Sequence, residues 1–263
     1  MLKNKRLFLF DIDGVIKVDD TLIDGAKDLT NYINDIGGKY VFITNNSTKS
    51  CKKYVEYFTN LGFNVDESNF ATALSISINY LKKHHMNDKI FVLGTQSLVD
   101  ELKANKLNIT TSVEPNIDVV LIGYDNELTY QKLVDVCNIL QTQKVTYLAT
   151  NIDLRCPAKF GFVPDCGAIA NMIKDTTDIE PKFLGKPTPD MVFYALHNTK
   201  YTKEQTLVIG DRLYTDIAAG NNANVDTCVV FTGETKPHDL KNCKQKVDFV
   251  FDSVKELLQA IIE

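Results

Sequence analysis

Short apolar runs, each ended by a polar cluster and followed by residues in helical spacing, recur along this chain and limit its fold more than any other feature. The first run is Leu7–Phe10, which leads directly into Asp11-Ile12-Asp13-Gly14. The second is Tyr40–Ile43, which ends in Thr44-Asn45-Asn46-Ser47. Continuous apolar runs of this length belong to strands buried on both faces, as in a parallel sheet, whereas a half-exposed strand alternates. Between the two runs, Ala26, Leu29, Tyr32, Ile33 and Ile36 repeat at helical intervals, and Gly37-Gly38 supplies the stop. The opening segment therefore reads as a βαβ unit.

The alternation continues. Strands are predicted at Ile90–Leu93, Val119–Ile122, Thr146–Ala149, Thr206–Ile209 and Thr227–Val230. Helices are predicted at 47–61, 75–84, 96–103, 129–141, 167–174, 189–198, 216–222 and 253–262. The fold class is α/β, with a Rossmann-like, doubly wound parallel sheet. At 263 residues the chain lies near the upper limit for one core, so a core plus a second module is expected.

Composition narrows the function. A net charge of −5 provides no basic field for nucleic acid or an anionic membrane surface, so neither partner is expected. The apolar stretch after Lys5-Arg6 is too short for an export signal, and no run approaches a membrane span, so a cytoplasmic location is expected. The six cysteines form no C-x-x-C pair, which argues against a zinc ribbon or a dithiol site and for reduced thiols.

Ligands of open parallel sheets bind at the carboxyl ends of the strands, and here those ends carry the chemistry. Asp11 and Asp13 follow the first run, Thr44 and Asn45 the second, and Asp211 and Asp216 follow Leu207-Val208-Ile209-Gly210. So many acids in one place repel severely unless a cation lies among them, and magnesium suits hard oxygen ligands. Thr44, Asn45 and Asn46 offer hydroxyl, amide and backbone N–H donors, and Lys186 offers positive charge. Anions, a cation and phosphate-type donors together suit phosphoryl transfer.

Four segments in order carry a resemblance: Asp11-Ile12-Asp13-Gly14-Val15, Thr44-Asn45-Asn46-Ser47, Gly185-Lys186-Pro187-Thr188-Pro189 and Gly210-Asp211-Arg212 with Thr215-Asp216. They resemble the motifs of haloacid dehalogenase superfamily phosphatases, and the second motif with the long insertion is similar to the NagD-like branch, which includes 4-nitrophenyl and phosphoglycolate phosphatases. The resemblance implies Asp11 as nucleophile and Asp13 as acid and base. It implies magnesium held by Asp11, Asp13 (through its carbonyl) and Asp211, with Asp216 supporting. Phosphate would be held by Thr44, Asn45, Asn46 and Lys186. Residues 1–76 and 184–263 would form the core, with 77–183 an inserted α/β cap that selects substrate and could pair two copies as a homodimer.

Within that insertion, Thr150–Cys156 is expected to be a loop presenting Arg155 to a carboxylate or second phosphate. Leu154 stands where the family usually has Pro, and Asp165 replaces a glycine of the loop before the next helix. Asp19, Asp20 and Asp24 read as a solvated flap, and Cys156 as an inert filler. Asp13 favours ester hydrolysis over dehalogenation, since attack on carbon needs no acid there. A phosphotransferase or mutase, or a non-catalytic phosphometabolite binder, are the alternatives on the same core.

Overall fold

The computed structural model describes residues 2–158 and 160–263. The chain opens with β1 (Leu7–Phe10) and a small hairpin of β2 (Lys17–Val18) and β3 (Thr21–Leu22). Next come α1 (Ala26–Asp35), β4 (Lys39–Thr44), α2 (Cys51–Asn60) and β5 (Phe70–Thr72). The middle of the chain holds α3 (Ala73–His84), β6 (Lys89–Leu93), α4 (Gln96–Ala104), β7 (Asn108–Thr110), β8 (Val119–Ile122), α5 (Tyr130–Thr142) and β9 (Thr146–Ala149). It continues through β10 (Arg155–Ala158), β11 (Gly161–Pro164), α6 (Cys166–Thr177) and β12 (Lys182–Phe183). The last part holds α7 (Asp190–His197), β13 (Thr206–Gly210), a wide π-helical turn (Leu213–Ile217) leading into α8 (Ala218–Ala223), β14 (Asp226–Val230), β15 (Phe249–Phe251) and α9 (Val254–Ile262).

These elements form two compact units. The first comprises the chain up to Thr44, Lys52–Ala71 and Lys186–Glu263; the second comprises Asn45–Cys51 and Thr72–Gly185.

In the first unit a six-stranded sheet has the order β15-β14-β13-β1-β4-β5. β1 pairs in parallel with β4 on one side and with β13 on the other, so the strand order reverses direction at β1. Every residue of β1 is buried, as the unbroken apolar run requires. Phe42 of β4 anchors the core beside it: its ring lies 4.5 Å from that of Phe58, 5.4 Å from Phe70 and 5.9 Å from Phe63, centroid to centroid. These separations suit offset and edge-on aromatic packing.

The second unit has its own parallel sheet, in the order β12-β9-β8-β6-β7. Alternate side chains of its strands enter opposite cores. Ile90, Val92, Val119 and Leu121 pack with residues of α3 and α4 on one face. Phe91, Leu93, Val120 and Ile122 pack with residues of α5 and α6 on the other. Period-two alternation with both faces apolar is what a continuous apolar run produces once helices cover both sides.

Three local features differ from the sequence expectation. The helix predicted from Ser47 begins at Cys51, because Asn46 Oδ1 accepts from both Thr48 N (2.9 Å) and Thr48 Oγ1 (2.7 Å) and keeps the segment in a turn. The helix predicted from Asp216 is a wide turn up to Ile217 and becomes regular only at Ala218. The flap carrying Asp19 and Asp20 is exposed, as expected, and forms the turn of a two-stranded hairpin. The segment around Arg155, expected to be a loop, is strand β10, paired antiparallel with β11. All six cysteines are free thiols, and no helix among the described residues is long and apolar enough to cross a membrane.

Phe42→Ala should lower the unfolding free energy by about 3–5 kcal/mol, since it leaves a cavity ringed by aromatic side chains that cannot collapse into it. Urea unfolding followed by far-UV circular dichroism measures this; a loss below about 1 kcal/mol would contradict the packing described.

Candidate active site

The acidic cluster of the first unit is a consequence of strand register. Phe10 lies opposite Ile209 across the parallel β1–β13 ladder, and Asp11 N donates to the Ile209 carbonyl at 2.9 Å. The first residues past the two strand ends, Asp11 on one and Asp211 just beyond Gly210 on the other, are therefore held side by side. The wide turn after β13 brings back Asp216, and carboxylate oxygens of Asp11, Asp211 and Asp216 lie within 4.8 Å of one another. All three residues are buried.

Lys186 answers this charge. Its Nζ donates to Asp11 Oδ1 (2.5 Å), to Asp216 Oδ1 (2.6 Å) and to the carbonyl of Ile43 (3.2 Å), with the side chain only 3% exposed. The Ile43 carbonyl comes from β4, so one ammonium group ties the ends of three adjacent strands. The other oxygen of Asp216 accepts from Arg212 N at 3.0 Å, so each oxygen of that carboxylate takes a hydrogen bond. Asp211 Oδ2 accepts from Glu234 N at 2.6 Å, but Asp211 Oδ1 is buried with no hydrogen-bond partner.

Protonation reflects a shortage of positive charge. Burial, with Asp216 adding to it, raises the Asp211 carboxyl to about 7. Burial also raises Asp11 well above the carboxylate range; Lys186 opposes this, while Asp216 and Asp211 reinforce it. For Lys186 burial works to lower the value, but the charges of Asp11 and Asp216 prevail and hold it protonated. One lysine among three carboxylates leaves excess negative charge in a site that water cannot solvate. The donors present fit a divalent cation: hard carboxylate oxygens, and one buried oxygen, Asp211 Oδ1, that no protein group satisfies.

Two glycines make the geometry possible. Gly14 turns the chain after Asp13 with φ 90°, a conformation that side chains strain, and a Cβ there would also lie 2.7 Å from Asp211 Oδ2. A Cβ on Gly233 would lie 2.0 Å from the same oxygen. Thr232, Gly233 and Glu234 follow β14 and escaped the sequence reading. Thr232 Oγ1 donates to the Gly14 carbonyl at 2.5 Å, and Thr235 N to the Asp211 carbonyl at 3.0 Å. Their position just past a strand end was the signal that could have found them.

None of the other predicted residues is one of the three clustered carboxylates. The Asp13 carboxylate is not one of the three clustered groups; its Oδ1 pairs with Lys17 Nζ at 2.5 Å, and Lys17 is held protonated because Asp13 outweighs the cost of its burial. Thr44 ends β4, buried, in the first unit. Asn45 and Asn46 belong to the second unit, as does Arg155, whose guanidinium lies 4.5 Å over the Phe162 ring. Asp165, which stands where the family usually has glycine, caps α6 by accepting from Cys166 N at 2.6 Å.

Residues 8–108 match the family model described as haloacid dehalogenase-like hydrolase, and residues 183–257 match a second one described as HAD-hydrolase-like. An acid sugar phosphatase of Staphylococcus haemolyticus is 31% identical over 262 residues, an alignment spanning 100% of this chain and 97% of the relative. The crystal structure of a 4-nitrophenylphosphatase from Thermotoga maritima superposes with a TM-score of 0.92 at 36% identity, covering 99% of this chain and 98% of that one. NagD from Escherichia coli K-12 superposes with a TM-score of 0.86 at 27% identity, covering 96% and 98%.

The raised Asp211 value has a sign that can be tested. In the metal-free protein the buried carboxyl contributes stability that is whole below its ordinary 3.8 and is lost as pH rises through about 7. With a chelator present, the melting temperature should fall across that window, and Asp211→Asn should flatten the fall. An added divalent cation should restore stability most at the upper end, because only there is the Asp211 carboxylate ionised to meet it.

Proposed function

We propose that this chain, which belongs to the haloacid dehalogenase-like hydrolase family, is a magnesium-dependent phosphatase that hydrolyses a small phosphate monoester through an aspartyl phosphate. The observation that carries the reading is Lys186 Nζ seated between Asp11 Oδ1 and Asp216 Oδ1, beside a buried Asp211 oxygen that lacks a partner. This arrangement joins a fixed carboxylate to a fixed positive charge at the end of a central strand. Acyl transfer or redox chemistry has no use for such a constellation, but transfer of a dianionic group to a carboxylate does. The names of the relatives, acid sugar phosphatase and 4-nitrophenylphosphatase, support hydrolysis of phosphate esters, with sugar phosphates as the leading class.

In this mechanism a carboxylate oxygen of Asp11 attacks phosphorus as the alcohol leaves, and Asp13 protonates the departing oxygen. The alcohol diffuses away, and Asp13, now ionised, takes a proton from the water that attacks the phosphorus of the aspartyl phosphate. Orthophosphate is released and Asp11 is regenerated. Lys186 orients Asp11 through its 2.5 Å contact and offers positive charge to the phosphoryl oxygens. Asp216, held by Lys186 and Arg212 N, orients the lysine. Asp11 and Asp211, with the Asp13 carbonyl, would hold magnesium, which supplies the charge that keeps Asp11 ionised and neutralises the phosphate. Thr44, Asn45 and Asn46 would bind the phosphate oxygens, and the second unit would act as the cap that reads the leaving group, with Arg155 its candidate for a second anionic group.

Asp11→Asn should abolish release of orthophosphate from 4-nitrophenyl phosphate, because the amide cannot form the acyl phosphate; full activity would overturn the assignment. Asp13→Asn should lower kcat by roughly 10²–10⁴-fold with KM little changed, since an acid acts in the transition state and not in binding. A rise in KM alone would contradict that role. Product analysis by phosphorus NMR also checks the class of reaction: free orthophosphate supports hydrolysis, and stoichiometric transfer to a second metabolite would replace it with phosphotransfer.

A further inference from the structure

The segment Asn45–Cys51 follows β4 directly, yet it groups with Thr72–Gly185 and not with the unit that holds β4. A buried polar network explains why. Asn151 Nδ2 donates to the carbonyl of Asn45 at 2.8 Å, across 106 residues of sequence. Ser47 Oγ accepts from Tyr124 N at 3.3 Å and is 3.2 Å from Thr150 Oγ1. Ser47, Thr150 and Asn151 are all completely buried. Asn151 is itself held, because its Oδ1 accepts from Asp153 N at 2.9 Å, which fixes the amide with its nitrogen toward Asn45. Asn45 Oδ1 packs so closely against Gly185 that a Cβ there would come within 2.6 Å of it.

We propose that Asn151 is a positioning residue that aims the Asn45-Asn46 peptide at phosphate; this rests on the phosphatase reading above. The carbonyl of Asn45 and the N–H of Asn46 are opposite ends of one planar peptide, so pinning the carbonyl fixes the direction of the N–H. Backbone N–H groups bind phosphate more tightly when they are held in place before it arrives, and a buried side-chain amide is a rigid way of holding one. Ser47 and Thr150 fix the following turn in the same manner. No sequence motif assigns this role to Asn151, because its partner is a backbone carbonyl and leaves no side-chain signature.

The test compares Asn151→Ala, Thr150→Val and, as a control of similar destabilisation, Val136→Ala, which cuts an apolar core residue of α5 that takes no part in the polar network. With 4-nitrophenyl phosphate as substrate and orthophosphate as inhibitor, Asn151→Ala should raise KM and the inhibition constant together by roughly tenfold or more, with a smaller change in kcat. Thr150→Val should move both in the same direction by less. Hydrogen exchange at amides 45–51 should accelerate in both variants and not in Val136→Ala. Unchanged KM and unchanged exchange at 45–51 would overturn the inference, as would acceleration spread evenly over the second unit, which marks a merely structural role. Should Asn151→Ala not fold, Thr150→Val decides by the same readouts. If the wild-type protein turns over no phosphate ester, the phosphatase reading falls, and the exchange pattern alone then decides whether Asn151 orders the segment.

Discussion

Three buried carboxylates held within 4.8 Å of one another are mutually repulsive, and the ends of three strands are arranged around the means of tolerating them. Lys186 neutralises part of the charge while anchored to the Ile43 carbonyl, so its position is set by the sheet and not by the acids it serves. Asp216 spends both oxygens on Lys186 and Arg212 N, and Asp211 spends one on Glu234 N. What is left is a single buried oxygen of Asp211 without a partner and two carboxyls that burial and their acidic neighbours push above the ordinary carboxylate range despite Lys186. The site is thus built with a deficit of positive charge, and a buried deficit of this kind is stable only when a cation or protons fill it.

The cost of that arrangement is met by the surrounding sheet. β1 is buried along its whole length and paired on both sides, which makes Asp11 the exit of the most enclosed strand. The aromatic packing on Phe42 stiffens β4, the neighbour that supplies the anchoring carbonyl. Thr232 and Gly233 press against the opposite side, bonding the Gly14 carbonyl and leaving no room for a Cβ beside Asp211. Rigidity on every side is what keeps like charges at fixed distances.

The second unit uses the same α/β logic for a different end. Its sheet is covered on both faces by separate apolar clusters, and at the ends of β8 and β9 it carries a buried polar network in place of an acidic one. Asp165 serves that network by capping α6 next to Asn151, a role for the acid found where related chains usually have glycine.

Much of this was legible in the sequence because its physical cause is local. Unbroken apolar runs specify buried strands wherever they occur, so β1, β8 and β9 were read with their observed limits, and the polar residues after each run followed at strand ends. The strands β2, β3, β5, β7, β10, β11, β12 and β15 were not legible, since each is two or three residues long or, like β10 and β11, carries charge, Gly or Pro in place of an unbroken apolar run, and forms only because a partner strand pairs with it. The start of α2 was misread because the Ser47 hydroxyl expected to cap it is engaged by Tyr124 N and Thr150 Oγ1, while Asn46 holds Thr48 in a turn. Residue type and order alone settle which strands end in acids and which side chains could carry phosphoryl chemistry. Only the tertiary structure decided that Asp13 pairs with Lys17, that Glu234 N holds Asp211, and that Asn151 holds Asn45. Those contacts are made by ion pairs and backbone groups brought together through register and turn geometry, and no pattern along the chain records them.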